Sequence, residues 1–143
     1  MMTHALPFLT VARCARHFGL SERTVYKMIK AGTLPAVLFG AYVIDWTDIW
    51  ACEQGPAPRT VLRPRYMSDL LAPPRLAALT GRSPRTVDRW LEAGLPTRNV
   101  RGSVRVNALD AADWLADHYG RALPLGSLRD HAVTTLVSPD RAA

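Results

Sequence analysis

Apolar positions along this chain come in short runs with helical spacing, each cut by a glycine and restarted by a serine. VARCARHF, Val11 to Phe18, and PRLAAL, Pro74 to Leu79, run into Gly19 and Gly81. Each predicts a two-turn helix closed by a glycine C-cap. Two residues later Ser21 and Ser83 stand as N-caps for a second helix, and Pro84 takes the first helical position, where a missing N–H costs nothing. In those second helices Val25, Met28 and Ile29 share one face, as do Val87, Trp90 and Leu91. Arg23, Thr24, Tyr26, Lys27 and Lys30 are left outside in the first; Arg85, Thr86, Asp88, Arg89 and Glu92 are left outside in the second. The period then changes. AVLFGAYVI, Ala36 to Ile44, and RNVRGSVRVN, Arg98 to Asn107, read as hairpins around Gly40-Ala41 and Gly102-Ser103. A closing helix follows each, with Asp45 and Asn107 as N-caps and Asp48 and Asp110 in the capping-box position.

The two sets of elements are one unit written twice. Gly19, Ser21 and Arg23-Thr24-Val25 meet Gly81, Ser83 and Arg85-Thr86-Val87 at a spacing of 62 residues. Ala31-Gly32 meets Ala93-Gly94, and Leu34-Pro35 meets Leu95-Pro96 one residue out of step because Thr33 is extra. Ile44-Asp45 and Asp48 then meet Val106-Asn107 and Asp110. A repeat of this kind sets the domain plan: a first unit over 1–53, a Pro/Arg-rich linker over 54–69, a second unit over 70–120 and a C-terminal tail over 121–143. The predicted fold is mainly α with small β-hairpin wings, arranged as two tandem winged helix-turn-helix domains.

An outward Arg/Thr/Lys face near a helix start suits a major groove, since arginine forks onto guanine and the helix N-terminus favours phosphate. A merely solvated basic face is the plain alternative for one helix, and its recurrence after the same Gly-x-Ser turn argues for the groove. In the second wing Arg98, Arg101 and Arg105 suit backbone or minor-groove contact. The first wing carries no charge from Ala31 to Ile44. Two readings of it stand: extra core, or an interface with a protein partner or the other unit.

Charge agrees with a polyanionic partner. The net charge is +6, and the linker and second unit supply four of those six charges. The linker, Gln54 to Tyr66, has three prolines and three arginines, which predicts an extended, semi-rigid segment. Stretched, it would reach on the order of 40 Å, enough to place both units on one duplex in successive grooves. Arg59, Arg63 and Arg65 either track phosphates or are simply solvated. The tail has weak periodicity and is expected to be disordered or to order against a partner.

Other chemistry is sparse. Cys14 and Cys52 lie far apart and the four histidines do not cluster, so no metal site, redox pair or cofactor is expected. Cys14 reads as a small core residue, and Trp46, Trp50, Trp90 and Trp114 read as core anchors. No run approaches a membrane span, and the N-terminus is a poor signal peptide; a cytoplasmic protein is expected. No Gly-rich phosphate loop, Gly-x-Ser-x-Gly elbow or paired histidines point to an enzyme.

The order helix, Gly-x-Ser-x-Arg-Thr-Val, Gly-(x)-Leu-Pro, hairpin, then Ile-Asp-x-x-Asp resembles the MerR-like winged helix-turn-helix of excisionases, or recombination directionality factors, over about residues 8 to 53 and 70 to 119. The resemblance implies double-stranded DNA as partner, with Arg23, Thr24, Tyr26, Lys27, Lys30, Arg85, Thr86 and Arg89 toward the major groove and Arg101 and Arg105 on a wing. It also implies an integrase or recombinase alongside; a phage or plasmid transcription regulator or repressor has the same fold. Leu38, Phe39 and Ala41 depart from the family's basic wings. Self-association along DNA through the apolar first wing or the tail is a further expectation.

Overall fold

Residues 8–54, 57–120 and 125–137 are described by a computed structural model. Helix α1 (Val11–Phe18) is capped by Thr10, whose side chain accepts from Arg13 N–H, and ends in Gly19 at φ 70°. Only glycine enters that left-handed region without strain, and the turn it makes aims the chain into α2 (Glu22–Lys30). Ser21 Oγ accepts the Thr24 N–H at 3.1 Å, satisfying one orphan donor of the new helix. Strands β1 (Val37–Phe39) and β2 (Ala41–Val43) pair antiparallel with Val37 opposite Val43. Helix α3 (Trp46–Cys52) follows, capped by Asp45.

The same order returns. α4 (Pro73–Thr80) ends in Gly81 at φ 67°, and α5 (Pro84–Glu92) starts from Ser83, whose Oγ accepts Thr86 N–H at 3.2 Å. Strands β3 (Arg98–Val100) and β4 (Ser103–Arg105) pair with Arg98 opposite Arg105. α6 (Ala108–Tyr119) is capped by Asn107, which accepts Asp110 N–H at 3.0 Å. Each hairpin gains a short third strand from the residue before the first helix: Leu9 bridges Ile44, and Leu71 bridges Val106, again 62 residues apart.

Each half has its own core. Val11, Cys14, Phe18, Val25, Met28, Leu34, Ile44, Trp46 and Trp50 fill the first; Leu76, Val87, Trp90, Leu95, Val106, Ala111 and Leu115 fill the second. The tryptophans anchor as expected, although Trp114 is only half-buried and stacks on His118 with ring centroids 4.0 Å apart. Burial pushes the Cys14 thiol up to about 12, as an apolar site does to a group that must ionise.

Three expectations are corrected. The stretch after Pro58 is no extended linker: Thr60–Met67 is a 3-10 helix. Arg65 pairs with Asp113 and, at 3.2 Å, with Asp110; the Tyr66 hydroxyl donates to Asp110 at 3.0 Å, and Trp50 Nε1 donates to the Tyr66 carbonyl at 3.0 Å. Two halves so joined cannot be spaced by a stretched tether. Gly55 and Pro56 lie outside the described residues. The Asp110 carboxylate is therefore turned toward Tyr66 and Arg65, not back to its own cap. Finally, the tail contains α7 (Gly126–Val137), ordered against its own chain: Leu125, Leu128 and Ala132 join the second core, and Ser127 Oγ donates to the Leu79 carbonyl. α7 also reaches the first half, where Arg13 of α1 pairs with Asp69 and donates to the Thr135 carbonyl at 3.0 Å.

Candidate nucleic-acid interface

The apolar stripe of α2 is spent on the core, with Val25 and Met28 buried, so the opposite face is presented outward. Arg23, Tyr26, Lys27 and Lys30 are all exposed. Lys27 and Lys30 lie in the last turn, where cations also offset the helix dipole. Thr24 is half-buried, and its hydroxyl hydrogen-bonds Ser21 Oγ at 2.9 Å; its local partner is the cap. Tyr26 leans on Tyr42 of β2, ring centroids 6.1 Å apart.

α5 repeats the arrangement with different charge. Arg85 and Arg89 are exposed, but so are Asp88 and Glu92, and Thr86 Oγ1 lies 3.1 Å from Ser83 Oγ. The α2 face sets three cations against Glu22, whereas the α5 face is balanced two against two. The more basic of the two exposed helix faces thus belongs to the first half, although most of the excess charge in the sequence lies in the linker and second half.

The second wing explains the discrepancy. Arg101 and Gly102 both have positive φ, 54° and 83°, which makes the two-residue turn favoured in hairpins, and Asn99 Oδ1 takes the Gly102 N–H at 2.8 Å. Arg101 sits exposed at the tip and, with Met28, Thr33, Cys52 and Gln54, lines a groove beside the turn that follows α2. Arg98 and Arg105 do not line a groove-facing wing, and that expectation is corrected. Arg105 is 9% exposed; its Nε donates to the Phe18 carbonyl at 2.8 Å and its Nη2 to the Gly19 carbonyl at 3.2 Å. Burial pulls its pKa down. Arg98 Nε donates to Glu53 Oε1 at 2.7 Å, and Glu53 Oε2 lies 2.7 Å from His17 Nε2. Both Glu53 and His17 are fully buried.

This seam was missed in the sequence, and it holds the second wing to the back of the first half. Val100 of β3 is completely buried in the first half's core, and Asn99 N–H donates to the Glu53 carbonyl at 3.3 Å. One signal could have found it. At the repeat spacing His17 and Glu53 of the first half fall on Leu79 and Leu115 of the second, so charge that has no repeat counterpart marks a contact particular to one copy. The first wing is also corrected in one of its two readings: Val37, Leu38 and Phe39 are 63%, 68% and 83% exposed, so it is not core.

Among the described residues no group of His, Cys, Asp and Glu could hold a metal ion, and no helix is long and apolar enough to cross a membrane. A family model for a helix-turn-helix domain matches residues 8–49, from the strand before α1 into α3. No curated protein and no solved structure matches the chain. The first half therefore carries a helix-turn-helix domain, and DNA binding is the function that this domain supports.

Proposed function

We propose that the chain is a tandem winged helix-turn-helix protein of the MerR-like, excisionase type, which binds double-stranded DNA sequence-specifically and steers a site-specific recombinase of a mobile element. It acts in the cytoplasm by binding and not by catalysis. The single observation that carries the reading is that both second helices, each launched from a glycine turn and a serine cap, bury their apolar stripe and leave arginine outward. α2 is the stronger reader, with Arg23, Lys27 and Lys30 on one exposed face.

Fluorescence anisotropy on duplex DNA tests this. Six exposed cations belong to the proposed contacts: Arg23, Lys27, Lys30, Arg85, Arg89 and Arg101. If all meet phosphate or base, log affinity falls against log salt with a slope near about −5. Affinity indifferent to salt, or no binding to any duplex, overturns the proposal. A transcription regulator uses the same surface, so the recombination role has its own assay: excision of a flanked segment by the cognate integrase, with and without this protein. A second reading, a protein-interaction adaptor, draws on the exposed Val37, Leu38 and Phe39; stable capture of a partner by a chain that binds no DNA would favour it.

A further inference from the structure

The two halves are joined through the seam, through the 3-10 helix and through α7, each time by side chains with fixed partners. In the seam Val100 is buried in the first core, Arg98 pairs with Glu53, and Arg105 reaches the Phe18 and Gly19 carbonyls. The 3-10 helix bonds both sides at once. The Tyr66 carbonyl takes Trp50 Nε1–H from the first half, while the Tyr66 hydroxyl and Arg65 both bond Asp110 of the second. Asn107, the cap of α6, donates from Nδ2 to the Arg65 carbonyl at 3.0 Å. At α7 the shared residue is Asp69. Its carboxylate pairs with Arg13 of α1, its N–H donates to Thr135 Oγ1 at 3.0 Å, and its carbonyl takes His131 Nε2–H at 3.0 Å. Because α7 is seated in the second core through Leu128 and Ala132, α1 and the second half hold the same residue.

The first core is not closed by the first half alone. Leu70 and Val100 are buried in it, and Tyr66 and Met67 pack against it. Apolar contact by itself lets two bodies slide, but hydrogen bonds weaken steeply away from their preferred angle. Rotating one half on the other would strand the fully buried Glu53 without Arg98, and an uncompensated buried charge is strongly unfavourable. The joints also leave the proposed contact residues alone. Arg23, Lys27, Lys30, Arg85 and Arg89 are exposed, whereas the joints are made by Arg13, Arg65, Arg98 and Arg105.

We infer that α2 and α5 are held at one fixed separation and angle, so that the chain selects duplexes by the spacing of two boxes as well as by their sequence. The inference rests on the DNA-binding reading and adds to it a class of target: two boxes a set number of base pairs apart. One inserted base pair moves a box by about 3.4 Å along the duplex and by about 34° around it. Hydrogen-bond distances vary by only about 0.5 Å. A flexible tether follows such a shift, and a rigid pair does not.

Calorimetry of the full chain is the first test and involves no DNA. A rigid pair is expected to unfold in one transition, with equal calorimetric and van't Hoff enthalpies; two transitions overturn the inference. The second test selects bound duplexes from a random pool and locates the protected boxes by footprinting. Insertions of one, five and ten base pairs between the boxes are then titrated by fluorescence anisotropy. Each is expected to lower affinity by about 10- to 100-fold, the worth of the base contacts of one helix. Ten base pairs should cost as much as five, because they restore the face of the duplex yet move the box by about 34 Å. Affinity recovered at ten, affinity unchanged at any insertion, or a site with a single box overturns the inference and leaves the DNA-binding reading standing. A pool that yields no bound duplex overturns both.

Discussion

The two wings share a fold, a length and a place in the repeat, and differ in what they touch. The second carries three arginines and is held against the first half by two of them; the first carries no charge and faces solvent. A basic wing is ordinarily taken for a DNA contact. Here the basic residues at the base of the hairpin neutralise a buried glutamate and cap helix carbonyls, and only the tip residue Arg101 remains outward. Counting arginines in a wing thus says little until their acceptors are known. In this chain the nearest acceptors belong to the protein.

The comparison breaks most visibly at Glu53. Glu53→Ala leaves Arg98 and His17 without their shared partner in a buried seam, and removing one member of a buried ion pair costs about 3 to 5 kcal/mol. Urea unfolding should show that loss. The variant Arg98→Val, Glu53→Leu, His17→Leu writes into the seam the apolar residues found at the equivalent positions of the repeat, Val37, Leu115 and Leu79. It is expected to recover most of the stability, since well-packed hydrophobic residues often replace buried charge without loss. A triple variant as unstable as Glu53→Ala would mean that the seam depends on geometry which only the charged residues provide.

Arg105→Ala comes next. It removes donors from the Phe18 and Gly19 carbonyls; a charge-assisted hydrogen bond contributes about 1.5 to 3 kcal/mol and the Gly19 bond, long at 3.2 Å, adds little, so a loss of about 2 to 3 kcal/mol in the same unfolding experiment is expected. The slope of DNA affinity against salt should not change. A slope reduced by about one would return Arg105 to the phosphate backbone.

Much of the architecture was legible because its signals are local. Gly19 and Gly81 close helices, Ser21 and Ser83 open them, and the partners of each cap lie within four residues. The seam was not legible, because an arginine that will bind a carbonyl looks the same in sequence as one that will bind phosphate. Glu53 is 45 residues from Arg98, and Phe18 is 87 from Arg105. The linker misled for a related reason: proline content suggested extension, but Arg65 and Tyr66 find their acceptors on α6. α7 lacked periodicity because it packs on α4, α6 and the 3-10 helix, so no single face is apolar. At the candidate interface the exposure of the charged α2 and α5 residues was legible from the helix period, while the bonds that tie the Thr24 and Thr86 hydroxyls to their own serine caps were not.

Helices α2 and α5 supply a smaller and more graded contrast. Arg23→Ala and Arg85→Ala should each weaken specific DNA binding by about 1 to 3 kcal/mol if they contact a base in bidentate fashion. The loss at Arg23 is expected to be the larger, because α5 sets Asp88 and Glu92 beside its arginines and α2 sets only Glu22 beside its three cations. Anisotropy titrations on specific and scrambled duplexes separate base reading from phosphate contact. A greater loss at Arg85 would reverse the ranking of the two helices.

The smallest effect returns to the free wing. Phe39→Ala deletes a large aromatic side chain, a change that in a core costs about 3 to 5 kcal/mol. Phe39 is 83% exposed, however, and in the isolated chain it has almost no buried area to lose. Its removal should move the unfolding free energy by no more than about 0.5 kcal/mol when measured at concentrations where the chain is a single molecule. At higher concentration the melting temperatures of wild type and variant would separate only if an assembly buried Phe39 and stabilised the folded wild type by mass action. A variant already destabilised in dilute solution would show that the first wing rests on its own chain, and the contrast between the two hairpins would be one of degree.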